Sequence, residues 1–178
     1  MSNLASLWLL DKNVVRDALV ALVRLDFGLS LNASNLTALE LLRAAREGRV
    51  CCVISVESAN ILHHRADSLH VQAVLAALPT YRATRYFRRW ARRLRHEGFT
   101  REDAKVIALG TFGTDEAETS LGVDAVVTGD GGLIHNYEQR LPLIQRRLRA
   151  MTAELPEPFR RAALPTIMSQ VEAVARLR

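Results

Sequence analysis

The sequence predicts an α/β fold with a central parallel sheet covered by helices on both faces. Three observations carry this. Short, fully apolar runs rich in β-branched residues recur along the chain, helical periodicity fills the stretches between them, and an acidic residue follows directly or closely after each of three such runs. Fully apolar strands belong in sheets buried on both sides. Strands alternating with helices are joined by right-handed crossovers that place the helices on the two faces.

Ser6–Leu10 (S-L-W-L-L) reads as the first strand, ending at Asp11. Val14, Val15, Ala18, Leu19, Leu22 and Val23 then recur at helical spacing until Phe27-Gly28. Asn35 is the expected N-cap of a helix over Leu36–Glu47, with Gly48 as its stop. Val50–Ile54 (V-C-C-V-I) reads as a central strand, and Ser55 caps a helix that carries Glu57. Residues 67–78 read as helical up to Pro79.

Tyr81–His96 reads as one long helix with an arginine face made of Arg82, Arg85, Arg88, Arg89, Arg92, Arg93 and Arg95. Its other side, Tyr86, Phe87, Trp90, Ala91 and Leu94, is expected to face the core. Gly98 ends it, and Thr100 opens a helix over Arg101–Leu109 with Asp103 at the third helical position. Asp124–Thr128 (D-A-V-V-T) is the third buried strand, and Gly129–Gly132 its turn. Residues 138–163 read as one or two charged helices interrupted around Pro156 and Pro158. Leu164–Met168 and Ser169–Leu177 form a last strand and a terminal helix.

A chain of 178 residues, 49% of them hydrophobic, supports one sizeable core, so residues 1–178 are taken as a single domain. A charged fraction of 24% argues against wholesale disorder. The net charge of +5 and pI near 9.9 suit a polyanionic partner, although such a charge also serves solubility alone. Cys51 and Cys52 are adjacent, hence poorly placed to bridge each other on a strand. They are expected to be buried, reduced thiols, which fits a cytoplasmic protein. No apolar run of about 18 residues suggests a membrane span. The apolar start, Leu4–Leu10, lacks a basic leader and is too short for a signal peptide.

Ligands of parallel sheets bind beyond the carboxyl ends of the strands. Asp11, Glu57 and Asp130 each lie just past a strand, so three acids distant in sequence converge on one edge. Each has an ordinary explanation by itself. Asp11 and Glu57 suit helix N-termini, Asp103 a near capping box, and Asp130 (in T-G-D-G-G) a turn. Together they offer what phosphodiester hydrolysis requires: carboxylate oxygens for hard cations such as Mg2+ or Mn2+, which act in pairs about 3.5 to 4 Å apart. Asn13 and Thr128 stand beside two of the acids and would orient a carboxylate or a bound water.

The succession L-L-D-K-N-V-V, I-S-V-E-S-A-N-I-L, R-E-D-A-K-V-I-A-L and V-V-T-G-D-G-G-L resembles the four acidic stations of the PIN-domain family. Residues 5–135 carry the resemblance, and P-T-I-M-S-Q-V-E-A-V-A-R-L is similar to that family's closing strand and helix. The resemblance implies a three-layer α/β/α fold and Mg2+- or Mn2+-dependent cleavage of single-stranded RNA. It implies Asp11, Glu57, Asp103 and Asp130 as catalytic, metal-holding acids, with Asn13 and Thr128 in support. Many small bacterial members are toxins paired with an antitoxin, so the resemblance admits such a partner. Lys12 stands where a small hydroxyl residue is common, Asp130 is followed by two glycines rather than by another acid, and segment 138–163 reads as an insertion.

The arginine face is expected to guide RNA by phosphate contacts, with Arg82, Arg85, Arg88, Arg89 and Arg92 as the nucleic-acid-binding residues, against the plainer reading of a solvated outer face. Homodimerisation through apolar helical faces is compatible with the pattern, and no residue marks the interface. The five histidines show no zinc spacing, and no phosphate-binding loop, dinucleotide fingerprint or nucleophile elbow is present. Two rivals remain at this stage. One is a catalytically silent PIN-like module that binds RNA or protein. The other is a haloacid-dehalogenase-like phosphatase, which would need an acid where Asn13 stands and another near Ile134.

Overall fold

A computed structural model describes residues 6–64 and 68–178. Leu4, Ala5 and residue 67, expected from the sequence to belong to the apolar start and to a helix, lie outside the described residues. The sheet has six strands in the order β4-β3-β2-β1-β5-β6, where β1 is Leu7–Leu10, β2 Cys51–Ser55, β3 Thr80–Ala83, β4 Gly113–Thr114, β5 Ala125–Thr128 and β6 Thr166–Ser169. All neighbours pair in parallel except β3 with β4.

Eight α-helices among the described residues cover this sheet, giving three layers: α1 Lys12–Asp26, α2 Ala33–Arg46, α3 Val56–His63, α4 Leu69–Ala77, α5 Phe87–His96, α6 Arg101–Phe112, α7 Gly131–Thr152 and α8 Gln170–Arg176. The alternation of side chains along each strand decides which layer they join. Trp8, Leu10, Cys52, Ile54, Ala125, Val127 and Met168 pack with α1, α2, α4 and α8. Leu9, Val53, Val126 and Ile167 face the opposite way, against α5, α6 and α7. The second core is the more aromatic, with Tyr81, Trp90 and Phe112 fully buried.

The N-terminus of α2 differs from expectation. Asn32, not Asn35, is the N-cap; its side chain accepts from the Asn35 amide at 2.8 Å, and the Asn35 side chain answers the Asn32 amide. A capping box contains two residues that each look like caps, and only the backbone conformation separates them. Gly48 stops the helix with φ +71°, a conformation that costs glycine little.

The largest correction concerns Tyr81–His96. Its first part is strand β3, and the helix begins only at Phe87. Thr80 and Tyr81 pair with Ile54 and Ser55, while Arg82 and Ala83 pair with the short β4 that the sequence did not reveal. The Tyr81 hydroxyl donates to the Gly122 carbonyl at 2.6 Å, fastening this edge. Helical spacing of Tyr86, Trp90 and Leu94 is genuine, but periodicity carries no information about a strand partner thirty residues away.

Helix α7 starts earlier than expected, because Asp130 Oδ1 accepts from the amides of Gly132 and Leu133, at 2.8 and 3.1 Å, so the two glycines belong to a capped first turn. The segment 138–163 holds most of α7 and a 3-10 turn, Phe159–Arg161, and lies within the crossover from β5 to β6. Cys52 is buried as expected, whereas Cys51 is exposed. Cys51 occupies the first position of β2, on the face opposite Cys52, and β3 pairs only with the far end of that strand, at Ile54 and Ser55.

Candidate active site

The crevice lies where the crossovers diverge: from β1 the chain leads to β2 on one side, while β5 lies on the other. A cleft of about 470 Å3 opens at the carboxyl ends of these strands, and Asp11, Glu57, Asp103 and Asp130 all line it. Four elements deliver them. Asp11 follows β1 and caps α1; Glu57 sits in the first turn of α3; Asp103 sits in the first turn of α6; Asp130 caps α7.

Asp11 is the most constrained of the four. It is 8% exposed, and its backbone amide donates to the Val127 carbonyl at 2.9 Å, which locks it to β5. Its Oδ1 accepts from the Lys12 amide at 2.7 Å, and its Oδ2 from the Thr128 hydroxyl at 3.0 Å. The Asn13 amide reaches Oδ2 at 3.5 Å. Burial raises the Asp11 pKa above its ordinary 3.8, and the charge of Asp130 adds to the rise; the Thr128 and Lys12 hydrogen bonds oppose it. Thr128, fully buried, also accepts from the Asp130 amide at 3.0 Å. One hydroxyl therefore ties two of the acids together, and both supporting residues, Asn13 and Thr128, touch the acid that the sequence placed them beside.

Among the described residues, no hydrogen bond or ion pair engages the Asp103 carboxylate. Thr100 accepts from the Asp103 amide at 3.1 Å, but no return bond closes a capping box. Asp11 caps α1, so its ordinary reading holds alongside the convergence, whereas Asp130, read from the sequence as a turn residue, is the N-cap of α7. Asp130 has one oxygen committed to α7.

The cleft also holds two cations, of which the sequence singled out Lys12 as a departure from the family pattern and passed over Lys105. Lys12 and Lys105, the only lysines in the chain, both line it, as does Glu102. Lys105 Nζ lies 3.5 Å from Glu57 and 3.2 Å from Glu102, and Lys12 Nζ lies 3.6 Å from Glu102. These ion pairs hold the Glu102 carboxyl below its ordinary range. The available signal was compositional: in a chain that otherwise uses arginine, both lysines neighbour predicted acids.

The donor set fits a hard divalent cation, since carboxylate, hydroxyl and amide oxygens line the cleft and neither thiol nor imidazole does. A cation would also relieve the burial and repulsion that raise the Asp11 pKa. Among the described residues, however, no three acidic, histidine or cysteine side chains are grouped closely enough to hold a metal ion.

The arginine face is smaller than expected. Arg82 leaves from β3 and pairs with Glu118 at 2.8 Å, and Arg85 precedes the helix with its guanidinium 4.6 Å from the Tyr86 ring centre. Arg88, Arg89 and Arg92 remain on the exposed side of α5, and among the described residues none of them pairs with an acid. Also among the described residues, no helix is long and apolar enough to cross a membrane. Comparison with protein-family models, with curated proteins and with solved structures finds no match.

Proposed function

We propose that this protein is a Mg2+- or Mn2+-dependent endoribonuclease that hydrolyses phosphodiester bonds of single-stranded RNA. The observation that carries this reading is the delivery of four carboxylates, from four separate elements, into one cleft at the carboxyl edge of a parallel sheet. The resemblance of the four motifs to PIN-domain nucleases points the same way.

Asp11, Glu57, Asp103 and Asp130 would hold the metal. When bound, a divalent cation supplies Lewis acidity at the phosphoryl oxygens and lowers the pKa of an attacking water. The protein's own contribution is positional. Thr128 and the Lys12 amide fix both oxygens of Asp11, so the carboxylate reorganises little during reaction. Asn13, whose side-chain amide lies 3.5 Å from Asp11 Oδ2, would orient a water beside it. Lys105 and Lys12 bring positive charge to where phosphate oxygens would lie, and Arg88, Arg89 and Arg92 provide a path for the flanking backbone.

The test is cleavage of a mixed single-stranded RNA pool with Mg2+ or Mn2+ against EDTA, with Asp11→Asn alongside. Metal-dependent cleavage that disappears in the variant supports the reading. RNA binding without cleavage under any metal supports a silent RNA-binding module instead. That second reading draws on the ungrouped acids and on the Lys105–Glu57 ion pair, which already balances one of them.

A further inference from the structure

The acids account for only part of the cleft. Much of the remaining lining is apolar, from Val56 and Ile61 of α3, Phe87 of α5, and Val106 and Leu109 of α6. Val56 and Ile61 are 42% and 54% exposed, so these are large apolar side chains left facing solvent beside a charged site. The volume of about 470 Å3 matches small-molecule pockets, at roughly 300–1,000 Å3. It far exceeds what cations and an attacking water occupy, at about 30 Å3 per water.

Phe87 stands where this apolar wall meets the basic helix. It is the first residue of α5, and the exposed Arg88 and Arg89 follow at once. Lysines at the acids, an aromatic wall and an arginine row are the parts by which single strands are bound: cations take the phosphates, and a splayed base lies on an aromatic or aliphatic surface. A paired base, stacked in a duplex, cannot reach such a wall.

We propose that the wall formed by Phe87, Ile61 and Val106 receives one unpaired nucleobase beside the acids, so that the strand is selected by an unstacked base at the bond to be cut. Its position at a cleaved bond rests on the nuclease reading; capture of the base does not, and is measured separately.

The probe is a single-stranded oligoribonucleotide carrying 2-aminopurine, titrated with the full chain in EDTA and followed by fluorescence. Stacking quenches the fluorophore, and Phe87→Ala weakens binding about tenfold or more. Ile61→Ser, at a solvent-facing position, weakens it by a smaller factor and guards against a folding defect in the first variant. An abasic oligonucleotide of equal length competes poorly, and the paired duplex poorly as well. Equal competition by the abasic strand or by the duplex overturns the proposal, as does unchanged affinity in both variants. Base-dependent quenching without metal-dependent cleavage keeps the base site and removes the nuclease. Cleavage that ignores a missing base at every position near the cut keeps the nuclease and removes the base site.

Discussion

Replacing Thr128 with valine removes one hydroxyl and almost no volume from a fully buried position. That hydroxyl donates to Asp11 Oδ2 at 3.0 Å and accepts from the Asp130 amide at 3.0 Å. A hydrogen bond to a charged partner contributes about 1.5–3 kcal/mol, and a neutral one about 1 kcal/mol. The expected loss is therefore about 3 kcal/mol, or roughly 6–12 °C in Tm for a domain of this size. Calorimetry or circular dichroism at neutral pH reads it. Thr128→Ser keeps both bonds and gives up one methyl, at about 1 kcal/mol. The effect should also shrink by about 1–2 kcal/mol in an Asp11→Asn background, because the stronger bond is then neutral. A valine variant within about 0.5 kcal/mol of the parent, or a serine variant less stable than the valine one, would refute the claim that this hydroxyl ties the two acids.

Asp11→Asn should abolish metal-dependent cleavage yet match or exceed the parent in Tm at pH 7. Burial holds the native carboxyl above 3.8, so the folded state binds its proton more tightly than the unfolded one, and stability contributed by this group falls as pH rises from 3.8 through the raised value. The variant should lose that part of the pH dependence, and an unchanged stability profile would count against it. Gly113→Ala should destabilise by about 1–3 kcal/mol in urea titration, since a Cβ there meets the Tyr81 ring and the Leu109 carbonyl. Reversing Arg88, Arg89 and Arg92 to glutamate should weaken RNA binding and lower its salt slope by about 0.7 for each phosphate no longer neutralised; an unchanged slope would leave α5 as a solvated face. One thiol, Cys51, should react with a disulfide reagent in the native protein and two after denaturation, because Cys52 is buried and its pKa is pushed up to about 12.

The elements legible in sequence are those whose cause is local. Leu7–Leu10, Cys51–Ser55 and Ala125–Thr128 announce themselves as apolar runs, and α1 by its periodicity, because burial on both faces or on one stripe is written into which residues are apolar. Ser55 and Thr100 act as caps in the structure as their spacing suggested. That Asp11, Glu57, Asp103 and Asp130 line one cleft was also legible, since parallel strands point their carboxyl ends the same way and three of these acids follow such strands; the spacing that leaves no three of them grouped, among the described residues, was not.

What tertiary structure decided was each question with a distant partner. Thr80–Ala83 is a strand because β2 and β4 offer it hydrogen bonds, against a helical pattern that begins a few residues later. Asn32 outranks Asn35 because backbone conformation, not residue type, selects the cap. Cys51 is exposed although it belongs to the same apolar run as the buried Cys52. Lys105 joins Glu57 across two helices, and Phe87 joins the acids across the cleft, through packing of segments far apart in sequence. Periodicity and capping are energies a residue shares with neighbours along the chain; pairing, cover and cleft walls are energies shared across space, and only the folded arrangement brings those partners together.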